Sequence, residues 1–264
     1  MITDKNIDGG NGFDWGLASA DYAKYRDIYP DEFYKRIVDM GYCKRGQRVL
    51  DLGTGTGVLP RNMYKYGAEF VGVDLSENQI NYAKMLSRDM NIRYIVSSAE
   101  NLNFPDENFD MVTACQCFMY FDKQMIMPKI HKFLKPDGHF LILFMAWLPF
   151  ESEIAKKSEE LVLKYNPNWS GGGMTRYIPE APPYSEGLFT VNNVITYDTD
   201  IPFTRESWNG RMKACRGIDA SLSAKEIAEF EKEHMAYLNT VPKEFTIPHY
   251  ATIVDLKKER TDNE

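Results

Sequence analysis

Seven consecutive residues, Asp51-Leu52-Gly53-Thr54-Gly55-Thr56-Gly57, carry the clearest chemical signal in the chain. Glycine at 53 and 55 permits a tight turn and lets a ligand approach the main chain without meeting a Cβ. A dinucleotide loop requires G-x-G-x-x-G; here the third glycine comes one residue early. Asp51 is a second departure, because a carboxylate repels a pyrophosphate and attracts an ammonium. Asp74 stands where an acidic residue at the end of the next strand can accept both hydroxyls of a ribose, a role open to either kind of adenine-bearing ligand. Together these residues favour a nucleoside with an ammonium group, and they disfavour a nicotinamide-linked oxidoreductase.

The loop needs a scaffold, and the hydrophobic pattern supplies one. Arg48–Leu52, Glu69–Asp74, Ile92–Val96, Phe109–Cys115 and His139–Met145 read as strands. Helices are expected over Asp31–Met40, Leu59–Lys65, Ser76–Met90 with Ser76 as N-cap, and Lys123–Leu134, the last stopped by Pro136-Asp137-Gly138. Such alternation predicts an α/β fold with a doubly wound, mostly parallel sheet. Beyond Trp147 the rhythm breaks. A helix over Glu151–Tyr165 leads into a Gly- and Pro-rich stretch with Gly171-Gly172-Gly173, Pro179, Pro182 and Pro183, read as loop or lid. Strands over Val191–Ile201 and Phe245–Leu256 bring the sheet to seven, with helices over Arg205–Cys215 and Ser223–Leu238 between them.

With these elements in place, the chain resembles the class I S-adenosylmethionine-dependent methyltransferases. Val49–Gly57 is similar to the family's first motif and Val71-Gly72-Val73-Asp74-Leu75-Ser76 to its second. Ser98–Phe104 resembles the segment that borders adenine; Phe109–Val112 and Leu134–Gly138 resemble the fourth strand and the turn before the fifth. Tyr22–Pro30 resembles the segment preceding the core in small-molecule methyltransferases of the trans-aconitate type. The resemblance implies a Rossmann-like single domain over 1–264. It comprises cofactor-covering helices in 1–40, a cofactor-binding core in 41–147, a lid insertion in 148–190, and closing strands and helices in 191–264.

It also implies S-adenosylmethionine as cofactor, with S-adenosylhomocysteine as product. The implied contacts are Tyr22, Arg26, Asp51, Gly53, Thr54, Gly55, Asp74, Leu75, Gln79, Ser98, Ala99, Glu100, Cys115 and Gln116. Arg26 would pair with the methionyl carboxylate, as a guanidinium does bidentately. The chain departs from the family at Ser98, where Asp is frequent, at Gln79, where Met is frequent, and at Met119-Tyr120, which replace a His-Trp pair.

The motifs specify the donor and leave the acceptor open. Direct displacement at a sulfonium needs alignment and exclusion of water, and needs a base only when the acceptor must lose a proton. Tyr120 is the candidate base; His131, His139, His234 and His249 read as solvated or core histidines. Trp15, Tyr120 and Arg211 are candidates for contacting the acceptor. Arg211 belongs to a basic stretch, Trp208, Arg211, Lys213 and Arg216, which reads equally as an anion-facing and a solvated surface. The altered 119–120 pair also permits an alternative, an adenosylmethionine-binding sensor or accessory protein without turnover.

Bulk properties limit the remaining possibilities. With 264 residues, a net charge of −7 and no dense Lys/Arg run, the chain is not expected to bind nucleic acid or an anionic membrane. The four cysteines, Cys43, Cys115, Cys117 and Cys215, show no disulfide spacing and read as buried free thiols; no metal site is expected. Cys115 and Cys117 would share one face, as a pair for a soft ligand, only if the strand ran through 117. The start lacks a signal-peptide pattern, so a cytoplasmic protein acting on a small molecule is expected.

Overall fold

The computed structural model describes residues 1–176 and 185–259; Pro179, Pro182 and Pro183 of the expected lid lie outside them. The strands are β1 (Arg48–Leu52), β2 (Glu69–Asp74), β3 (Ile92–Val96), β4 (Phe109–Cys115), β5 (Leu134–Trp147), β6 (Phe189–Thr204) and β7 (Glu244–Lys258). They form one sheet in the order β3-β2-β1-β4-β5-β7-β6. The pairs β1–β2, β1–β4, β2–β3 and β4–β5 are parallel. From β1 the chain winds outward to β2 and β3, then returns to β4 on the other side. The switch point therefore lies between β1 and β4, where ligands bind at the carboxyl ends of strands.

The helices are α1 (Ser19–Tyr25), α2 (Asp31–Asp39), α3 (Val58–Met63), α4 (Glu77–Leu86), α5 (Lys123–Phe133), α6 (Glu153–Tyr165), α7 (Arg205–Lys213) and α8 (Ala224–Leu238). Ser76, Asp122, Ser152, Thr204 and Ser223 each cap a helix with a side-chain oxygen that accepts a first-turn N–H. Two expected boundaries move furthest. Helix α4 ends at Leu86 rather than Met90, because the Ser87 hydroxyl turns back to the Ala83 carbonyl at 2.7 Å. Strand β5 begins at Leu134 rather than His139. The Pro136-Asp137-Gly138 stretch is a bulge within it: Asp137 has φ 61°, and the pairing with β4 shifts between Phe109 and Met111.

The chain forms two compact units. The first, here the sheet unit, comprises Pro30–Met145, Ile178–Tyr197 and Ala251–Glu264. Its core includes Leu50, Leu52, Val71, Val73, Phe109, Val112, Phe140 and Leu256, all buried. The second, here the helical unit, comprises Met1–Tyr29, Ala146–Tyr177 and Asp198–Tyr250. In it α7 packs against α1 and α8, and α6 against α8. Gly210 on α7 sets the α1 approach, since a Cβ there would lie inside the Tyr25 ring. Trp208 is fully buried between Trp147 and Phe203, with ring centroids at 5.8 and 4.9 Å.

Candidate functional site

In the sheet unit, β1 delivers the chain into the glycine loop. Gly53, Gly55 and Gly57 have φ of 60°, 56° and 74°, the left-handed region that favours glycine. Only glycine fits at 53, where a Cβ would stand 2.7 Å from Cys117 Sγ. Gly57 meets the Tyr94 phenol of β3 and so sets how closely the start of α3 approaches the sheet. The loop's N–H groups are largely committed. Thr54 donates to the Val73 carbonyl at 2.9 Å, Gly55 to Asp74 Oδ2 at 2.9 Å, and Gly57 to the Thr54 carbonyl at 2.9 Å. A phosphate cradle works by presenting free N–H groups. These three are spent inside the protein, which agrees with the glycine spacing in disfavouring a pyrophosphate.

Asp74 is held from both sides, Oδ2 by Gly55 and Oδ1 by the Ser76 N–H at 2.8 Å. Burial raises its pKa, and those two backbone hydrogen bonds oppose the rise. Each carboxylate oxygen keeps a further lone pair for a ligand hydroxyl. Beside it Leu75 is 52% exposed, an apolar surface at the edge where the loop ends. Gln79 is buried in the first turn of α4, its N–H on the Ser76 hydroxyl at 3.3 Å.

Asp51 is 1% exposed and accepts from the Thr113 hydroxyl at 2.7 Å. Burial pushes its carboxyl up to about 6, the Thr113 hydroxyl pulls it down, and the Asp74 charge adds to the rise. A cation brought near it would restore the ordinary value.

Ala99 and Glu100 lie in a short 3-10 turn, Ala99–Asn101, that Ser98 precedes. The Glu100 carboxylate accepts the Asp122 N–H at 3.1 Å, which ties this turn to the start of α5. Cys115 is the last residue of β4. Gln116 then takes φ 62°, donates its main-chain N–H to Leu143 at 2.9 Å and its side-chain amide to the Met145 carbonyl. A non-glycine residue held there marks a locally enforced turn. The turn removes the shared face on which a Cys115–Cys117 pair depended. Cys117 instead donates its thiol to the Leu52 carbonyl at 3.1 Å, and burial raises its pKa well above the ordinary thiol value. Among the described residues no three His, Cys, Asp or Glu side chains gather as a metal site. Tyr120 lies in the 3-10 turn Phe118–Tyr120 and packs on the sheet core.

Tyr22, Arg26, Trp15 and Arg211 belong to the helical unit. The Arg26 guanidinium lies 4.7 Å from the Tyr22 ring centroid, and Tyr22 meets Trp15 edge-on at 5.8 Å. The basic stretch on α7 is not one solvated face. Arg216 pairs with Asp8 at 2.7 Å, and Lys213 lies between Asp21 and Glu231 at 3.1 Å each. Trp208 donates to the Ser158 hydroxyl at 2.9 Å. Arg211 is 4% exposed, 4.7 Å from the Trp147 ring centroid, with no hydrogen-bond partner for Nε or Nη1. Burial, reinforced by the like charge of Arg26, lowers its pKa to about 9. The buried setting has a sequence signal: Trp208, Arg211, Met212 and Cys215 follow i, i+3, i+4, i+7 spacing.

The histidines are structural groups or unused. His234 is fully buried: its Nδ1–H donates to Asn209 at 2.9 Å, its Nε2 accepts from Ser158 at 2.9 Å, and burial lowers its pKa to about 4. His139 pairs with Asp255 at 2.7 Å, and Tyr42 and Asn192 donate to the same carboxylate at 2.6 Å each. His139 is opposite Met111 early in β4, so this network lies at the strand end away from the glycine loop. Nothing in the sequence connects Tyr42 to a partner 213 residues on.

Residues 50–142 match the family described as a methyltransferase domain. Over that segment the chain is similar to class I S-adenosylmethionine-dependent methyltransferases. It is 29% identical over 133 residues to the uncharacterized methyltransferase YcgJ of Bacillus subtilis, covering 46% of this chain and 53% of that one. It is 34% identical over 119 residues to the ubiquinone/menaquinone biosynthesis C-methyltransferase UbiE of Vibrio vulnificus, covering 42% and 46%. The chain thus spans about half the length of these curated relatives. Among solved structures, a putative methyltransferase from Bacillus halodurans superposes with a TM-score of 0.56 at 16% identity, covering 87% of this chain and all of that one. At that identity the likeness shows the fold, which is the seven-stranded methyltransferase arrangement found here.

Proposed function

We propose that this chain is an S-adenosylmethionine-dependent methyltransferase acting on a small-molecule acceptor. One observation carries the reading: a left-handed glycine loop whose Thr54, Gly55 and Gly57 N–H groups are internally spent runs between two carboxylates, Asp51 and Asp74. Bound adenosylmethionine would supply a sulfonium methyl with a good leaving group. The chain's own residues do the rest. Asp74 accepts the ribose hydroxyls with oxygens already oriented by Gly55 and Ser76. Leu75 offers an apolar surface to the base, and Ser98 and Ala99 border it. Asp51, buried and costly to ionise alone, attracts the ammonium. Gln116, fixed by its bond to Met145, presents a rigid edge after β4, and Gly53 keeps the approach clear of a Cβ. Among the described residues no helix is long and apolar enough to cross a membrane.

Calorimetric titration with S-adenosylmethionine tests the cofactor assignment; tighter binding of NADH would overturn it. If adenosylmethionine binds, release of S-adenosylhomocysteine across a metabolite panel tests turnover. Binding with no release on any acceptor would favour the sensor reading instead.

A further inference from the structure

We infer that Arg211, with Arg26 beside it, binds a carboxylate-bearing small molecule other than the methyl donor. The inference is independent of the methyltransferase reading; the site stands on the helical unit's own geometry. Arg211 is 4% exposed, and two of its guanidinium nitrogens have no partner. Buried polar groups in native proteins are nearly always satisfied, so an orphan of this kind requires an explanation. The charge makes the need stronger, because an unpaired buried ion is far more costly than an unpaired amide.

The surroundings do not neutralise it. It lies 4.7 Å from the Trp147 ring centroid, and a ring attracts a cation weakly. The nearby charge is a second guanidinium, Arg26, which repels it. Tyr22, Tyr29 and Cys215 are the other groups that act on it, none of them a carboxylate, and burial pushes the Cys215 thiol up to about 11. His249 also faces it; its Nδ1–H donates to the Ile247 carbonyl at 2.8 Å, and burial keeps the ring neutral with a pKa of about 3. Among the described residues no carboxylate pairs with Arg211. The acidic partners of its basic neighbours are committed, Asp8 to Arg216, and Asp21 and Glu231 to Lys213, and Glu159 accepts from Trp147 Nε1 at 2.6 Å and from the Gly173 N–H at 2.8 Å. With a pKa of about 9 Arg211 remains charged at neutral pH. The complement to a guanidinium with free donors and a second guanidinium beside it is an anion that accepts several hydrogen bonds, and a carboxylate fits that geometry.

The test compares wild type with Arg211→Met and Arg211→Lys, using succinate, citrate and acetate at about 10 mM as probes and thermal unfolding as readout. Wild type should be stabilised by at least one of these carboxylates. Arg211→Met, which fills the same volume without the charge, should lose that response and melt about 2–5 °C higher without ligand. Arg211→Lys, a point charge without the planar fork, should bind the same probe about tenfold more weakly and gain no stability. S-adenosylhomocysteine affinity should be unchanged in both variants. No response of wild type to any of the three carboxylates overturns the proposal, as does an equal response in Arg211→Met. An S-adenosylhomocysteine affinity that falls with Arg211→Met overturns the assignment to a ligand other than the donor. An Arg211-dependent carboxylate response in a chain that binds no adenosylmethionine would leave this site standing and remove the methyltransferase reading.

Discussion

Asp51→Asn separates the cost of the candidate site from its use. The carboxyl titrates at about 6 in the folded chain against an ordinary 3.8. That rise of roughly two pH units, at about 1.36 kcal/mol each, is about 3 kcal/mol of ionisation cost borne by the ligand-free protein. Between pH 3.8 and about 6 the folded chain keeps a proton that the unfolded chain has released. Folding therefore takes up a proton there, stability falls as pH rises through that window, and the loss levels off above it. Asparagine keeps an oxygen for the Thr113 hydroxyl and has no charge to bury. Urea unfolding should show the variant about 1–3 kcal/mol more stable than wild type at neutral pH, with little difference below about pH 4.5. Calorimetry on the same samples should show adenosylmethionine binding weakened about 10- to 100-fold, the cost of losing a charged partner. A variant that is less stable at neutral pH, or that keeps both the wild-type pH slope and the wild-type affinity, would refute the reasoning.

Four further outcomes are expected. Asp74→Ala should weaken S-adenosylhomocysteine binding by about 1–3 kcal/mol in calorimetry, since Gly55 and Ser76 lose their acceptor along with the ligand. Gly57→Ala should cost about 1–3 kcal/mol in urea unfolding, because φ 74° is strained for alanine and its Cβ meets the Tyr94 phenol. Tyr42→Phe should cost about 1 kcal/mol, because it removes one donor from Asp255. The same network sets an acid limit. Burial works to raise the Asp255 pKa, but hydrogen bonds from His139, Tyr42 and Asn192 hold it below the ordinary value. Its stabilisation is thus complete above pH 3.8 and is lost as pH falls through the lower folded value, which acid unfolding of Asp255→Asn beside wild type would show.

The parts legible in the sequence were those set by local pattern. Strands β1 to β4 are short, largely apolar runs, and Ser76 and Ser223 announce their helices as caps. The glycine loop is legible because its left-handed positions are filled by the residue that favours them. Gln116 takes a similar φ with no such mark, so the turn that sends Cys117 back to β1 had no sequence signal. Pro136-Asp137-Gly138 reads as a turn, and only its pairing with β4 reveals a bulge. On α7 the pattern held information that a count of charges obscured: Arg211 falls on the apolar stripe, whereas Lys213 and Arg216 find acidic partners from distant segments. His234 likewise shares a stripe with Phe230 and Leu238.

The helical unit draws on chain segments far apart in the sequence, and this shapes how it is made. Arg216 grips Asp8 across 208 residues, and the Asp14 N–H finds the Ala220 carbonyl. Neither bond can form until about 190 residues beyond Tyr29 have left the ribosome, a delay of roughly 10–40 s at ordinary elongation rates. The strands β1 to β4 emerge well before then with their neighbours close in sequence. During that interval Phe13, Trp15, Tyr22 and Tyr25 have local partners, such as one another, Lys24 and Arg26, in place of α7. For most of its synthesis, the segment that ends up packed against α7 is an aromatic-rich stretch open to chaperones and proteases.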